Sequence, residues 1–90
     1  MELRQLKYFI GTAETLSFSE AARNLNVTQS TLSQQIKQLE NEIGAQLFHR
    51  SSHSVALTEA GSEMLPYARQ TIESAEMCMN RIADINDINA

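Results

Sequence analysis

Cysteine is scarce in this chain, and long apolar runs and an excess of positive charge are missing from it. A single cysteine, Cys78, excludes an internal disulfide framework and fits a reducing compartment. No apolar run approaches membrane-spanning length, and the opening MELRQLKYF mixes charges into any candidate signal region, so the protein is expected to be soluble and cytoplasmic. The formal net charge is −4, where a chain that binds nucleic acid is usually basic. From Met1 to Leu57, Arg4, Lys7, Arg23, Lys37 and Arg50 balance Glu2, Glu14, Glu20, Glu40 and Glu42. The whole deficit therefore lies from Thr58 onward, and charge alone does not establish a nucleic-acid partner. What is present is 90 residues of ordinary hydrophobic content, enough for one small domain with a marginal core unless a partner adds to it.

The most informative stretch is VTQSTLSQQIKQLENEIG, Val27 to Gly44. Thr28 can cap a helix there, Gly44 can close it in a left-handed conformation, and nothing between them breaks it. Leu32, Ile36, Leu39 and Ile43 stack into one apolar stripe. At about 100° per residue the opposite side carries Ser30, Gln34, Lys37 and Asn41, flanked by Thr31, Ser33 and Gln38, while Glu40 and Glu42 fall roughly 80° to either side of the stripe. Such a short, polar, almost uncharged face suits base edges and phosphates in a DNA major groove; an ordinary solvated face would look similar on periodicity alone.

Upstream, Leu3, Leu6, Ile10 and Ala13, with Phe9 and Leu16 beside them, predict an amphipathic helix from about Glu2 to Thr15. Gly11 inside it weakens the helix and allows another to approach closely. Ser17 and Glu20 have capping-box spacing, with Leu16 placed to staple against Ala21. The short helix that follows buries Ala21, Ala22 and Leu25 and ends at Asn24 and Asn26. Two helices about three residues apart, with small alanines in the first and a capped polar helix second, fit an antiparallel helical hairpin or a helix-turn-helix, and the short first helix and alanine pair favour the latter because small residues permit a steep crossing.

After Gly44 the period changes. Leu47 and Phe48, a polar tip from Ser51 to Ser54, and Val55 and Leu57 alternating with Ala56 predict a two-stranded hairpin over 47–57, which beside a helix-turn-helix is a wing. His49, Arg50 and His53 are its potential positive charges, and arginine suits a narrow minor groove. Thr58 caps the last helix. Leu65, Ala68, Ile72, Ala75, Met79 and Ile82 alternate three and four residues apart, a heptad seam expected to pair with a second copy and to dock partly on the first helix. Pro66 should kink this helix near its start. Ile85 and Ile88 fall off the register, and the tail INDINA is expected to fray. The fold class is thus mainly α: a winged helix-turn-helix of three helices and a two-stranded wing over 1–58, then a long dimerisation linker helix over 59–90.

Nothing points to catalysis. His49 and His53 lack the cysteine pair of a zinc finger and sit on a turn, Ser51 and Ser52 have no visible base, and Cys78 has no convergent histidine, so a buried or half-buried inert thiol is expected. No cofactor or metal is expected. The other alternative is a protein-interaction module in which the heptad helix is the function, for which net charge is the support.

The ordered combination AA-x-x-L-x-V-T-Q-S-x-L-S-x-Q-I-x-x-L-E, with LF-x-R and LT-x-A-G after it, resembles the N-terminal DNA-binding region of LysR-type transcriptional regulators over essentially the whole chain. The resemblance implies a homodimer on an inverted-repeat operator in double-stranded DNA, able to pair into tetramers in a longer protein whose ligand-sensing domain takes a small-molecule effector. It implies DNA contacts from Thr28 and Gln29 at the helix start, with Thr28 on phosphate. Ser30, Thr31, Ser33, Gln34 and Lys37 would contact the groove, and Arg50 and His53 would act from the wing. Gln34 and His53 stand where family members often have arginine. Glutamine pairs with adenine where arginine prefers guanine, and a wing-tip histidine is mostly neutral at pH 7, so binding is expected to tighten as His53 gains its proton.

Overall fold

A computed structural model describes the backbone of residues 1–89 and the side chains of residues 1–87. Four helices and one hairpin follow in the order α1 (Leu3–Thr15), α2 (Phe18–Leu25), α3 (Gln29–Ile43), β1 (Phe48–Arg50), β2 (Val55–Leu57) and α4 (Glu59–Asn89). The strands are antiparallel, with Phe48 opposite Leu57, His49 opposite Ala56 and Arg50 opposite Val55. Among the described residues no helix is long and apolar enough to cross a membrane.

Local chemistry explains each boundary. Glu2 caps α1 in a reciprocal box with Gln5, and Leu16 ends it in the left-handed region at φ 51°. The box expected at Ser17 is only half formed. Its hydroxyl accepts from the Glu20 N–H at 3.2 Å, while the Ser17 N–H donates to the Thr15 hydroxyl. Asn26 closes α2 at φ 57°, a conformation asparagine tolerates better than most residues. Val27 and Thr28 complete a three-residue turn, and the Thr28 hydroxyl accepts from the Thr31 N–H at 3.1 Å to start α3. Gly44 ends α3 at φ 74°, where a side chain would be strained.

The core takes Leu6 and Phe9 from α1, Ala21 and Ala22 from α2, Leu32, Ile36 and Leu39 from α3, Leu47 and Phe48 from the wing approach, and Ala68 and Ile72 from α4. A Cβ at Gly11 would lie 3.0 Å from Leu25 Cδ1, so its bare backbone does serve the close approach of α2. Truncating a fully buried side chain such as Leu39 to alanine should cost about 2–5 kcal/mol.

Several expectations need correction at the ends of the elements. Leu3 and Leu16 are exposed, and Gln5, Tyr8 and Thr12 are buried instead, because the stripe on α1 turns toward α3 and α4 in its middle. Leu16 is not tucked away as a staple would be. Ile43 is 39% exposed, since α3 runs past the core before it ends, whereas Glu40 is buried. The α4 seam divides. Leu65, Ala68 and Ile72 pack on the core of the same chain, Ala75 is half-buried, and Met79 and Ile82 are exposed. Cys78 is exposed rather than half-buried. α4 continues helical through the tail expected to fray; the Ile88 side chain and Ala90 lie outside the described residues.

Candidate nucleic-acid interface

Leu32, Ile36 and Leu39 are each fully buried, which locks the rotation of α3 and leaves no freedom about which side faces out. Gln35, half-buried, adds a polar tie: its side-chain oxygen accepts from Gln5 Nε2 of α1 at 3.2 Å. The face turned to solvent carries Ser30, Thr31, Gln34, Lys37, Gln38 and Asn41, with Ser33 at its half-buried edge. At the start of α3 the first amides have no partner within the helix and favour an anionic oxygen. Thr28 accepts from the Thr31 N–H and donates to the Thr31 hydroxyl at 2.9 Å, which leaves the Thr31 hydroxyl hydrogen for an outside acceptor.

The wing tip is organised by Ser51. Its hydroxyl accepts from the Ser54 N–H at 3.1 Å, and its own N–H donates to the Ser54 carbonyl at 2.9 Å. This small closed turn projects Ser52 and His53 into solvent. Thr58 joins the wing to α4: its hydroxyl donates to the Gln46 carbonyl at 2.6 Å and accepts from the Gly61 N–H at 3.0 Å, the cap expected of it.

Arg50, one of the wing's potential positive charges, is paired within the chain. Its guanidinium donates to Glu40 Oε1 at 3.2 Å and lies 4.8 Å from the centre of the Phe18 ring. One guanidinium nitrogen is engaged, and several N–H donors remain. Arg50 also forms the rim shared by two clefts. One, between α3 and the wing, is lined by Lys37, Asn41 and Gln46; the other, between the start of α2 and the wing, by Ser17, Ser19, Gln29 and residues 51–54. Residues far apart in sequence, Gln29 with His53 and Lys37 with Arg50, are therefore brought to common clefts. Ser17, Ser19 and Gln46 were missed by sequence reasoning, for they carry no periodic signal. Among the described residues no group of histidine, cysteine or carboxylate side chains could hold a metal ion.

Residues 3–62 match the family model described as bacterial regulatory helix-turn-helix protein, lysR family. The HTH-type transcriptional regulator AlsR of Bacillus subtilis is 54% identical over 72 residues, covering 80% of this chain and 24% of AlsR. Among solved structures, the BenM DBD in complex with catB site 1 DNA superposes with a TM-score of 0.91 at 37% identity, covering 96% of this chain and 97% of that one. The CbnR DBD–DNA complex gives 0.90 at 38% identity, covering 96% and 99%. The chain spans about a quarter of the length of the curated relatives it matches.

Proposed function

The chain belongs to the lysR family of bacterial regulatory helix-turn-helix proteins, and we propose that it binds duplex DNA sequence-specifically, as a homodimer, in the regulation of transcription. α3 lies in the major groove and the wing lies against the adjoining minor groove and backbone. The observation that carries this reading is the polar face of α3, Ser30, Gln34 and Lys37, held outward by three fully buried residues. Thr28 takes phosphate at the helix start with Gln29 beside it, Gln34 reads a base edge, and Ser30, Thr31, Ser33 and Lys37 make the other groove contacts. Arg50 and His53 work from the wing. The chain acts by binding rather than by catalysing a reaction, and an effector would act through a part of the protein other than these residues.

Dimerisation falls to the far half of α4, with Met79 73% and Ile82 53% exposed beyond Ile72, its last buried core residue. A twofold pair would then set two α3 helices into successive major grooves of an inverted repeat, with half-sites about 34–36 Å apart or a multiple of that. Selection of bound duplexes from random DNA tests the reading: an inverted repeat should emerge, and affinity for it should fall steeply with salt. A protein-interaction module without DNA binding would select nothing.

A further inference from the structure

We propose that Glu40 is a positioning residue that sets the angle between α3 and the wing, acting on DNA through Arg50; this rests on the DNA-binding reading above. Glu40 is the one buried charged residue among the described residues, 8% exposed, and its two oxygens are divided. Oε2 accepts from the Leu47 N–H at 2.7 Å, and Oε1 accepts from Arg50 at 3.2 Å. Leu47 immediately precedes β1 and Arg50 ends it, so a single carboxylate on the recognition helix holds that strand at its entry and at its exit. The far side of the guanidinium rests on Phe18, the first residue of α2, and the Phe18 ring meets Phe48 edge-on at 5.7 Å between centroids.

A hairpin of two three-residue strands has little stability of its own, so its direction is set by what it is tied to. Phe48 fixes its depth in the core, but an aromatic ring in an apolar setting tolerates rotation. Hydrogen bonds to a buried carboxylate do not. Thr58 ties the strand entry to α4 through the Gln46 and Leu47 carbonyls, and Glu40 ties it to α3, so Glu40 sets where the wing points relative to α3 and with it whether the wing cations reach the backbone while α3 fills the groove.

The sign of one substitution separates this role from plain electrostatics. Glu40→Gln removes a negative charge close to the DNA-binding face, which by charge alone should tighten binding to a polyanion. Loss of wing direction should weaken it. The probe is a duplex selected from random DNA by the wild-type chain, with affinity measured across a salt series well below the melting temperature of each variant. Glu40→Gln is expected to bind about tenfold more weakly, with a salt slope shallower by about one phosphate contact. Equal or tighter binding overturns the proposal, as does weaker binding with an unchanged slope. Arg50→Met, which keeps packing on Phe18 but not the ion pair, should show the same two losses, and in its background Glu40→Gln should change affinity by less than about twofold. A full second loss there overturns the proposal. If Glu40→Gln does not fold, Glu40→Asp carries the test, since it keeps the charge but draws the carboxylate back from Leu47 and Arg50: weaker binding with a shallower slope is expected, and wild-type affinity overturns the proposal. A wild-type chain that selects no duplex would instead overturn the DNA-binding reading itself.

Discussion

At the scale of single residues, the outward face of α3 carries groups of different hydrogen-bonding chemistry. Gln34 is exposed at its centre, and its amide can donate and accept at once, the pairing that adenine offers in the major groove. Gln34→Ala should cost on the order of 1–3 kcal/mol of binding and relax preference at one base pair, read from the sites each protein selects. These positions were legible in the sequence because they follow from the phase of Leu32, Ile36 and Leu39, and a helix has one phase. The partners of Glu40 and Arg50 were not. These lie 7 and 10 residues further on or back, across a turn and a strand, and no local pattern announces that a carboxylate at the edge of an apolar stripe will be covered by a wing.

Among the elements, those set by neighbours in sequence were read with their boundaries nearly intact. Thr28 and Gly44 bracket α3, Asn26 closes α2, and Thr58 opens α4, all through contacts within a few residues. The limits of burial were less legible, because Leu3, Ile43 and Ile82 belong to apolar stripes that run on after the opposing surface has ended. One close contact between elements was also not legible, although its glycine closes the LT-x-A-G motif. Gly61, in the first turn of α4, faces the Leu47 carbonyl so closely that an added Cβ would overlap it, and Leu57 lies beside them. That same carbonyl accepts from the Thr58 N–H at 3.0 Å, so it cannot retreat without breaking the cap region. Gly61→Ala should destabilise the fold by about 1–3 kcal/mol, measured by chemical denaturation, whereas alanine at an exposed, unconstrained helical position would be neutral or better.

For the whole molecule, the decisive feature is the division of α4. Through Ala68 and Ile72 it belongs to the body, and beyond Ala75 it carries exposed apolar residues along a structure 54 Å in its longest dimension. Replacing Met79 and Ile82 together by aspartate should halve the solution mass of the proposed dimer while leaving the helical signal of the body intact. A mass unchanged by the double substitution would place the pairing surface elsewhere. α4 runs unbroken from Glu59 to Asn89 with its near half packed on α1, so the proposed pairing surface and the proposed DNA-binding face are joined through one continuous helix. The length of that helix is therefore also a phase: one alanine inserted between Ala75 and Met79 turns the two ends by about 100° relative to each other, whereas seven inserted residues bring them back within about 20°. The single insertion should leave each half-site readable alone yet abolish simultaneous grip on both, and the heptad insertion should restore it only on operators whose two halves have been moved further apart.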